Sequence, residues 1–98
     1  MDTYTTIRCT TKVNDRVFAG DDLGENETPF KYVIKDLEGK LLCHIIFKDK
    51  DVDGITDSDL LAVLIDRLSA QQEGIKKSRA TGFSLARCEE ARMWLGAK

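Results

Sequence analysis

Few residues of this 98-residue chain have the types and spacing that catalysis requires. His44 is the single histidine, and it has no second histidine or cysteine at zinc-ligand spacing. A Ser-His-Asp triad would have to use His44, and no glycine-rich phosphate loop is present. Cys88 lacks a plausible partner in sequence that could act as the general base for its thiol, because the adjacent Arg87 stays protonated. A binding protein is therefore the simplest hypothesis.

Residues 49–54 resemble the opening of an EF-hand loop, because carboxylates occupy positions one, three and five and Gly54 occupies position six. Position twelve is Leu60 instead of a bidentate glutamate. A predicted strand also stands where a helix should precede the loop. We expect a polar connection here, with no metal site and no cofactor.

An arginine interrupts the apolar side of the second predicted helix. Arg87 falls among residues of that apolar stripe, and an unpaired buried charge is very unfavourable. Two interpretations remain open. Arg87 pairs with a carboxylate, either Asp66 or Glu90, or it contacts an anionic ligand.

The composition is that of a folded domain, with 42% hydrophobic and 33% charged residues. A net charge of −2 argues against a protein that coats a nucleic acid polymer. The three cysteines show no metal-like pairing, so we expect reduced thiols. The sequence opens without a signal peptide and contains no membrane-spanning run, which predicts a cytoplasmic protein.

A helical hairpin is predicted over residues 55–96. Thr56 is an N-cap candidate, and Asp59 stands where its capping-box partner should be. Gly74 is expected to end the first helix in a left-handed conformation. The apolar run 60–65 and Leu68 make this helix apolar over most of its circumference, so it needs two burial partners. One is the second helix, and the other is a sheet or another copy of the chain.

In the second helix, one apolar stripe is predicted at helical spacing. Its members are Ala80, Phe83, Cys88, Ala91, Trp94 and Leu95.

Residues 1–48 carry the alternation of β-strands. Strands are predicted over 3–13 and 16–19, then over 30–36 and 40–48, with both faces of the last strand covered. Gly39 supplies a positive φ in the turn between the last two. Residues 20–28, here named the acidic loop, hold four carboxylates and are expected to be exposed. The predicted fold is a single α+β domain over residues 1–98, with a small N-terminal antiparallel sheet followed by a C-terminal two-helix hairpin that oligomerises through its helices.

The hairpin resembles phage-encoded anti-defence sponges. These are the type one Thoeris anti-defence family and the anti-CBASS cyclic-nucleotide sponges, which share a helical hairpin. The predicted sheet favours the Thoeris type. The matching positions are Phe47 and residues 52–56, 60–61, 65–68, 72, 78–79 and 89–95.

The resemblance implies binding without hydrolysis. The expected ligands are glycocyclic ADP-ribose isomers made by TIR-domain enzymes, or cyclic tri- or dinucleotides. The expected assembly is a dimer or hexamer with pockets at subunit interfaces, in the cytoplasm of a bacterial host. Asp53 stands where relatives often have asparagine, and Ala86 where many have threonine. The implied ligand contacts are Arg79, Arg67, Phe47, Asp53, Gln72, Thr81 and Arg87.

Arg79 carries most weight among these residues. It matches the arginine that opens the second helix in the family, and free helix amides favour phosphate at such a position. The alternative function is a protein that binds and inhibits a host defence enzyme through the acidic loop. A third hypothesis is a nucleotide-degrading enzyme that uses His44 with Asp49, Asp51 and Asp53.

Overall fold

The computed structural model describes residues 8–74 and 78–97. The chain forms two compact units, Met1–Ile55 and Thr56–Lys98. The first contains an antiparallel sheet and the second contains two helices, so the α+β prediction is confirmed. The predicted strand over 3–13 lies partly outside the described residues, and its described part is a strand only at Thr11–Lys12.

Within the described residues the sheet has four strands in the order β1-β2-β3-β4. They are β1 Thr11–Lys12, β2 Val17–Ala19, β3 Lys31–Lys35 and β4 Leu41–Ile46. The register aligns Lys12 with Phe18, Phe18 with Val33, and Val33 with His44. Directly paired residues project to the same side of a sheet, so these four side chains share one face.

Short polar turns connect the strands. The Asn14 side chain accepts hydrogen bonds from the backbone N–H groups of Arg16 (2.9 Å) and Val17 (2.8 Å). The turn before β4 places Gly39 at φ 90°, which confirms the predicted positive φ. Asp36 Oδ1 accepts from the Lys40 N–H at 2.8 Å and fixes this turn.

We expected both faces of β4 to be covered, and this prediction is wrong for the first half of the strand. Leu41 and Leu42 are exposed. The β3–β4 register shifts at Ile34–Lys35, because Ile34 pairs with Cys43 and Lys35 with Leu41. Leu42 is thus an extra residue on β4, which lies at one edge of the sheet formed by the described residues.

The core of the sheet unit is small. Its buried described side chains are Cys9, Ala19 and Val33. Tyr32 and Phe47 add an edge-to-face contact with ring centroids 5.7 Å apart. All three cysteines are free thiols.

The first helix, α1, spans Asp57–Glu73 and begins as predicted. The Asp59 N–H donates to Thr56 Oγ1 at 3.1 Å, and the Thr56 N–H donates to Asp59 Oδ2 at 2.9 Å. This reciprocal pair is the predicted capping box. The predicted left-handed stop is wrong, because Gly74 has φ −89° and ψ −175°. The chain leaves α1 in extended conformation, which needs no glycine.

The second helix, α2, spans Arg79–Gly96. Half-buried positions recur at three- and four-residue spacing on both helices, as expected for two helices packed along a seam. The positions at this spacing are Ser58, Leu61, Ile65, Leu68 and Gln72 on α1, and Thr81, Leu85, Cys88 and Leu95 on α2, while Leu60, Ser69 and Gly82 are also half-buried.

The single stripe predicted on α2 is wrong. Cys88 and Leu95 lie in the seam, whereas Phe83 and Trp94 are 63% and 66% exposed. Eleven residues separate Phe83 from Trp94, which is about three turns, so both rings lie on the outer side of α2. On α1, Val63 and Leu64 are exposed as well. Across the described residues, neither helix is long and apolar enough to span a membrane.

Candidate functional site

The start of α2 brings together three residues predicted to contact ligand: Gln72, Arg79 and Thr81. Ser78 caps the helix and accepts from the Thr81 N–H at 3.0 Å. Its hydroxyl also donates to Thr81 Oγ1 at 2.9 Å. Gln72, from the end of α1, accepts from the Ser78 N–H through Oε1 at 3.3 Å. Arg79 follows as the first residue of the helix.

The electrostatics of this helix start favour an anion. The first turn of α2 contains no acidic residue, whereas that of α1 contains Asp57 and Asp59. Arg79 is exposed, and neither ion pair found within 8–74 and 78–97 includes it. The guanidinium therefore adds its charge to the positive end of the helix dipole.

Gln72 also packs against the backbone of α2. A Cβ built on Gly82 would lie 3.0 Å from Gln72 Nε2, which is closer than ordinary packing. Ser78 and Gly82 were missed as site residues from the sequence. The signal for Ser78 was available, because a serine immediately before a helix is a preferred N-cap. The approach of Gly82 to Gln72 depends on tertiary packing.

Arg87 forms the ion pair with Glu90 that the sequence left as one of two interpretations. Arg87 Nη1 lies 3.0 Å from Glu90 Oε2. The side chains are 80% and 49% exposed. The expectation that Arg87 lies in a buried apolar face is wrong, because that side of α2 faces outward in a single copy. The charge is solvated and needs no ligand to stabilise it.

Arg67 is exposed on α1. A shallow groove of about 320 Å³ lies elsewhere in the hairpin, and it contains a cation that sequence reasoning did not select, Arg92. Arg79 and Gly96 are separated by roughly 25 Å along α2 at 1.5 Å per residue, so the groove lies at the opposite end of this helix from Arg79. Its lining residues are Ile65, Glu89, Arg92, Met93 and Gly96.

Phe47 and Asp53 belong to the sheet unit. Phe47 is half-buried against Tyr32, and its backbone N–H donates to the Phe30 carbonyl at 2.7 Å. These contacts are those of a core phenylalanine. Asp53 is exposed, and its Oδ1 accepts from the Gly54 N–H at 3.0 Å.

Asp49 and His44, two of the residues considered for a nucleotide-degrading enzyme, make contacts that support the fold. Asp49 Oδ1 accepts from the Glu25 N–H at 3.1 Å and joins two loops. Burial of the His44 side chain, and then the charge of Lys31, lower the pKa of His44 below 6.5. Its imidazole is thus neutral at pH 7. Across 8–74 and 78–97, no three His, Cys, Asp or Glu side chains are grouped as metal ligands would be.

Comparison with known proteins adds no family assignment. No protein-family model matches the chain, and no curated protein matches it.

Proposed function

We propose that this chain is a phage anti-defence protein that binds and sequesters a cyclic nucleotide immune signal without degrading it. The signal belongs to the glycocyclic ADP-ribose isomers or the cyclic di- and trinucleotides. The observation that carries the proposal is Arg79 at the start of α2, which is exposed and forms no ion pair with a carboxylate of residues 8–74 or 78–97. It lies in the segment that resembles the sponge families.

Phosphate recognition would follow from ordinary chemistry at this position. The first amides of a helix have no intrahelical acceptors, although at α2 the Thr81 N–H already donates to Ser78 Oγ, and a guanidinium offers paired N–H donors to phosphate oxygens. Thr81 and Gln72 supply a hydroxyl and an amide beside Arg79. Gln72, Ser78, Arg79 and Thr81 contain neither a carboxylate nor an imidazole, the side chains that most often act as general acid or base, so we expect the ligand to be held and not hydrolysed.

Self-association through the hairpin is part of the proposal. No side chain of α1 or α2 is fully buried in a single copy. Val63 and Leu64 on α1, with Phe83 and Trp94 on α2, expose apolar surface that a second hairpin would cover. Such an assembly would place the Arg79 side chains of neighbouring copies near the interface between their hairpins.

A capture-and-release assay tests the function. Purified protein is mixed separately with glycocyclic ADP-ribose isomers, cyclic dinucleotides and cyclic trinucleotides, filtered, and then heat-denatured. Sequestration predicts that one ligand disappears from the filtrate and returns intact after heating. Return of a degraded product would establish an enzyme. If every nucleotide remains free, the proposed function is wrong.

Replacing Arg79 tests the residue that carries the proposal. Charge-assisted hydrogen bonds contribute about 1.5–3 kcal/mol, so R79Q should weaken capture by roughly 10- to 150-fold. The matched control is R8Q, an exposed arginine of the sheet unit. Calorimetric titration with the captured ligand measures both. Equal affinities for R79Q and wild type would contradict this site.

R79Q, together with variants in which the carboxylates of the acidic loop are neutralised, distinguishes sequestration of a nucleotide from inhibition of a host enzyme. A protein-binding inhibitor would tolerate R79Q in a phage-protection assay and would lose activity when carboxylates of the acidic loop are neutralised. A sponge would show the reverse pattern.

A further inference from the structure

Charge is segregated within the sheet unit. Every charged residue within the described strands is a lysine, namely Lys12, Lys31 and Lys35. Lys31 and Lys35 lie two residues either side of Val33, so the register places all three lysines on the face that contains Phe18. Arg16 adjoins this group, because its Nε donates to the Lys35 carbonyl at 3.1 Å. We name Lys12, Arg16, Lys31, Lys35 and Phe18 the cationic face.

Most of these cations have no carboxylate partner within the described residues. Lys12 pairs with Asp15 at 3.1 Å, and neither ion pair found there includes Arg16, Lys31 or Lys35. Lys35 Nζ instead lies 5.0 Å from the centre of the Phe18 ring. No ion pair within the described residues therefore balances the charges of Arg16, Lys31 and Lys35, although the chain as a whole has a net charge of −2.

The acidic loop has the complementary chemistry. Its carboxylates, Asp21, Asp22, Glu25 and Glu27, form no ion pair within the described residues. Leu23 stands among them and is 54% exposed. The loop is held in shape by the Gly24 N–H, which donates to the Thr28 carbonyl at 2.9 Å.

A shaped loop loses little conformational entropy on binding. It offers an apolar side chain flanked by negative charges, and the cationic face offers an aromatic ring flanked by positive charges.

We propose that the cationic face of one copy binds the acidic loop of a second copy, with Leu23 against Phe18 and the loop carboxylates against Lys31 and Lys35. This contact is distinct from the proposed hairpin interface and does not depend on ligand binding. Single exposed ion pairs contribute little, so the contact depends on several pairs acting together around the apolar anchor. It is therefore sensitive to salt.

Carbodiimide crosslinking of mixed isotopes tests the contact in the full chain. Equal amounts of ¹⁵N-labelled and unlabelled protein are crosslinked, digested and analysed by mass spectrometry, so that crosslinks between copies carry both isotopes. We expect mixed-isotope links from Lys31 or Lys35 to Asp22 or Glu25. At about 1 M salt the Debye length is only about 3 Å, and the yield should fall by about tenfold. Links confined to single-isotope peptides, or mixed links that map elsewhere, would overturn the proposal.

Two sets of variants separate a specific contact from random collision. L23S leaves every crosslinkable group in place and should lower the mixed-isotope yield several-fold, whereas L37S, at a leucine that is 81% exposed in the turn before β4, should not. K31E/K35E and D22K/E25K should each lose the link alone and regain it when mixed with each other. No recovery on mixing would reject the pairing. Binding of single-stranded DNA through Lys31 and Lys35 without mixed-isotope links would assign the face to nucleic acid instead.

Discussion

His44 shows how surroundings set the chemistry of one residue. Its Nε2 is buried, and Lys31 contributes positive charge nearby. Both effects disfavour the imidazolium and lower the pKa of His44 below 6.5. A histidine in this state contributes to the sheet as a neutral, half-buried side chain.

Acid should therefore weaken the fold through His44. The unfolded chain binds the proton more readily, so the free energy of unfolding is unaffected by this group above pH 6.5 and falls as the pH drops from 6.5 towards the lower folded-state pKa. H44Q removes this dependence. Urea unfolding at several pH values measures it, with the carboxylates common to both proteins as the internal control. Parallel curves for H44Q and wild type would contradict the lowered pKa.

Local rules were enough for some residues and failed for others. The Thr56–Asp59 capping box and the positive φ of Gly39 depend on neighbouring residues alone, and both predictions are confirmed. The surroundings of Arg87 depend on which side of α2 faces the seam. The pair with Glu90 was therefore only one of the open interpretations, and its exposure was not predicted. Gln72 is similar, because its contact with Gly82 needs both helices in place.

At the scale of elements, the end of α1 and the start of α2 approach each other closely, and Gln72 makes the contact between them. Gln72 both accepts from Ser78 and lies against Gly82. A side chain at position 82 would push the Gln72 amide away from the helix start. The glycine thus permits the arrangement that holds Arg79 and Thr81 beside Gln72.

A double-mutant cycle measures this coupling. Alanine favours a helix over glycine by up to about 1 kcal/mol, yet G82A should stabilise the protein by clearly less, because it displaces the Gln72 amide. In a Q72A background the same change should recover most of that gain, with a coupling of about 0.5 kcal/mol or more. Urea unfolding at one fixed protein concentration provides the free energies. If G82A raises the free energy of unfolding equally in both backgrounds, the Gln72 side chain moves aside without losing a stabilising contact, and the proposed coupling is wrong.

For the whole molecule, the division into sheet and hairpin units leaves little apolar burial in each. The described sheet unit buries three hydrophobic side chains, and α1 and α2 bury none fully. Small units of this kind commonly gain stability from association. Among the described residues, the rings of Phe83 and Trp94 on α2 are the largest exposed apolar groups.

Removing one of these rings should therefore weaken assembly. F83S should lower the weight-average mass in sedimentation velocity and lower the melting temperature at a given protein concentration, since association stabilises the folded state by mass action. The control is L37S, which replaces an exposed apolar side chain outside the hairpin. If F83S and L37S sediment identically, the outer side of α2 is not the interface.

Periodicity and capping signals predicted the order and type of the main elements, and the part of the chain that the structure describes contains four strands followed by two α-helices in that order. They did not predict the bulge at Leu42 or the outward position of Phe83, because both depend on partners distant in sequence. The candidate site was predicted in part. Gln72, Arg79 and Thr81 lie together, while Phe47 and Asp53 belong to the other unit.

The exposure of Trp94 makes the hairpin spectroscopically separable from the sheet. Trp94 is the only tryptophan in the chain, and it is 66% exposed on α2. Indole emission excited at the red edge of its absorption therefore reports on the hairpin alone, while tyrosine and far-ultraviolet signals include the sheet. The indole of a single copy is wet and emits at long wavelength. If the emission maximum shifts to shorter wavelength as the protein concentration rises, the concentration at which it shifts is the one at which another surface covers the Trp94 ring.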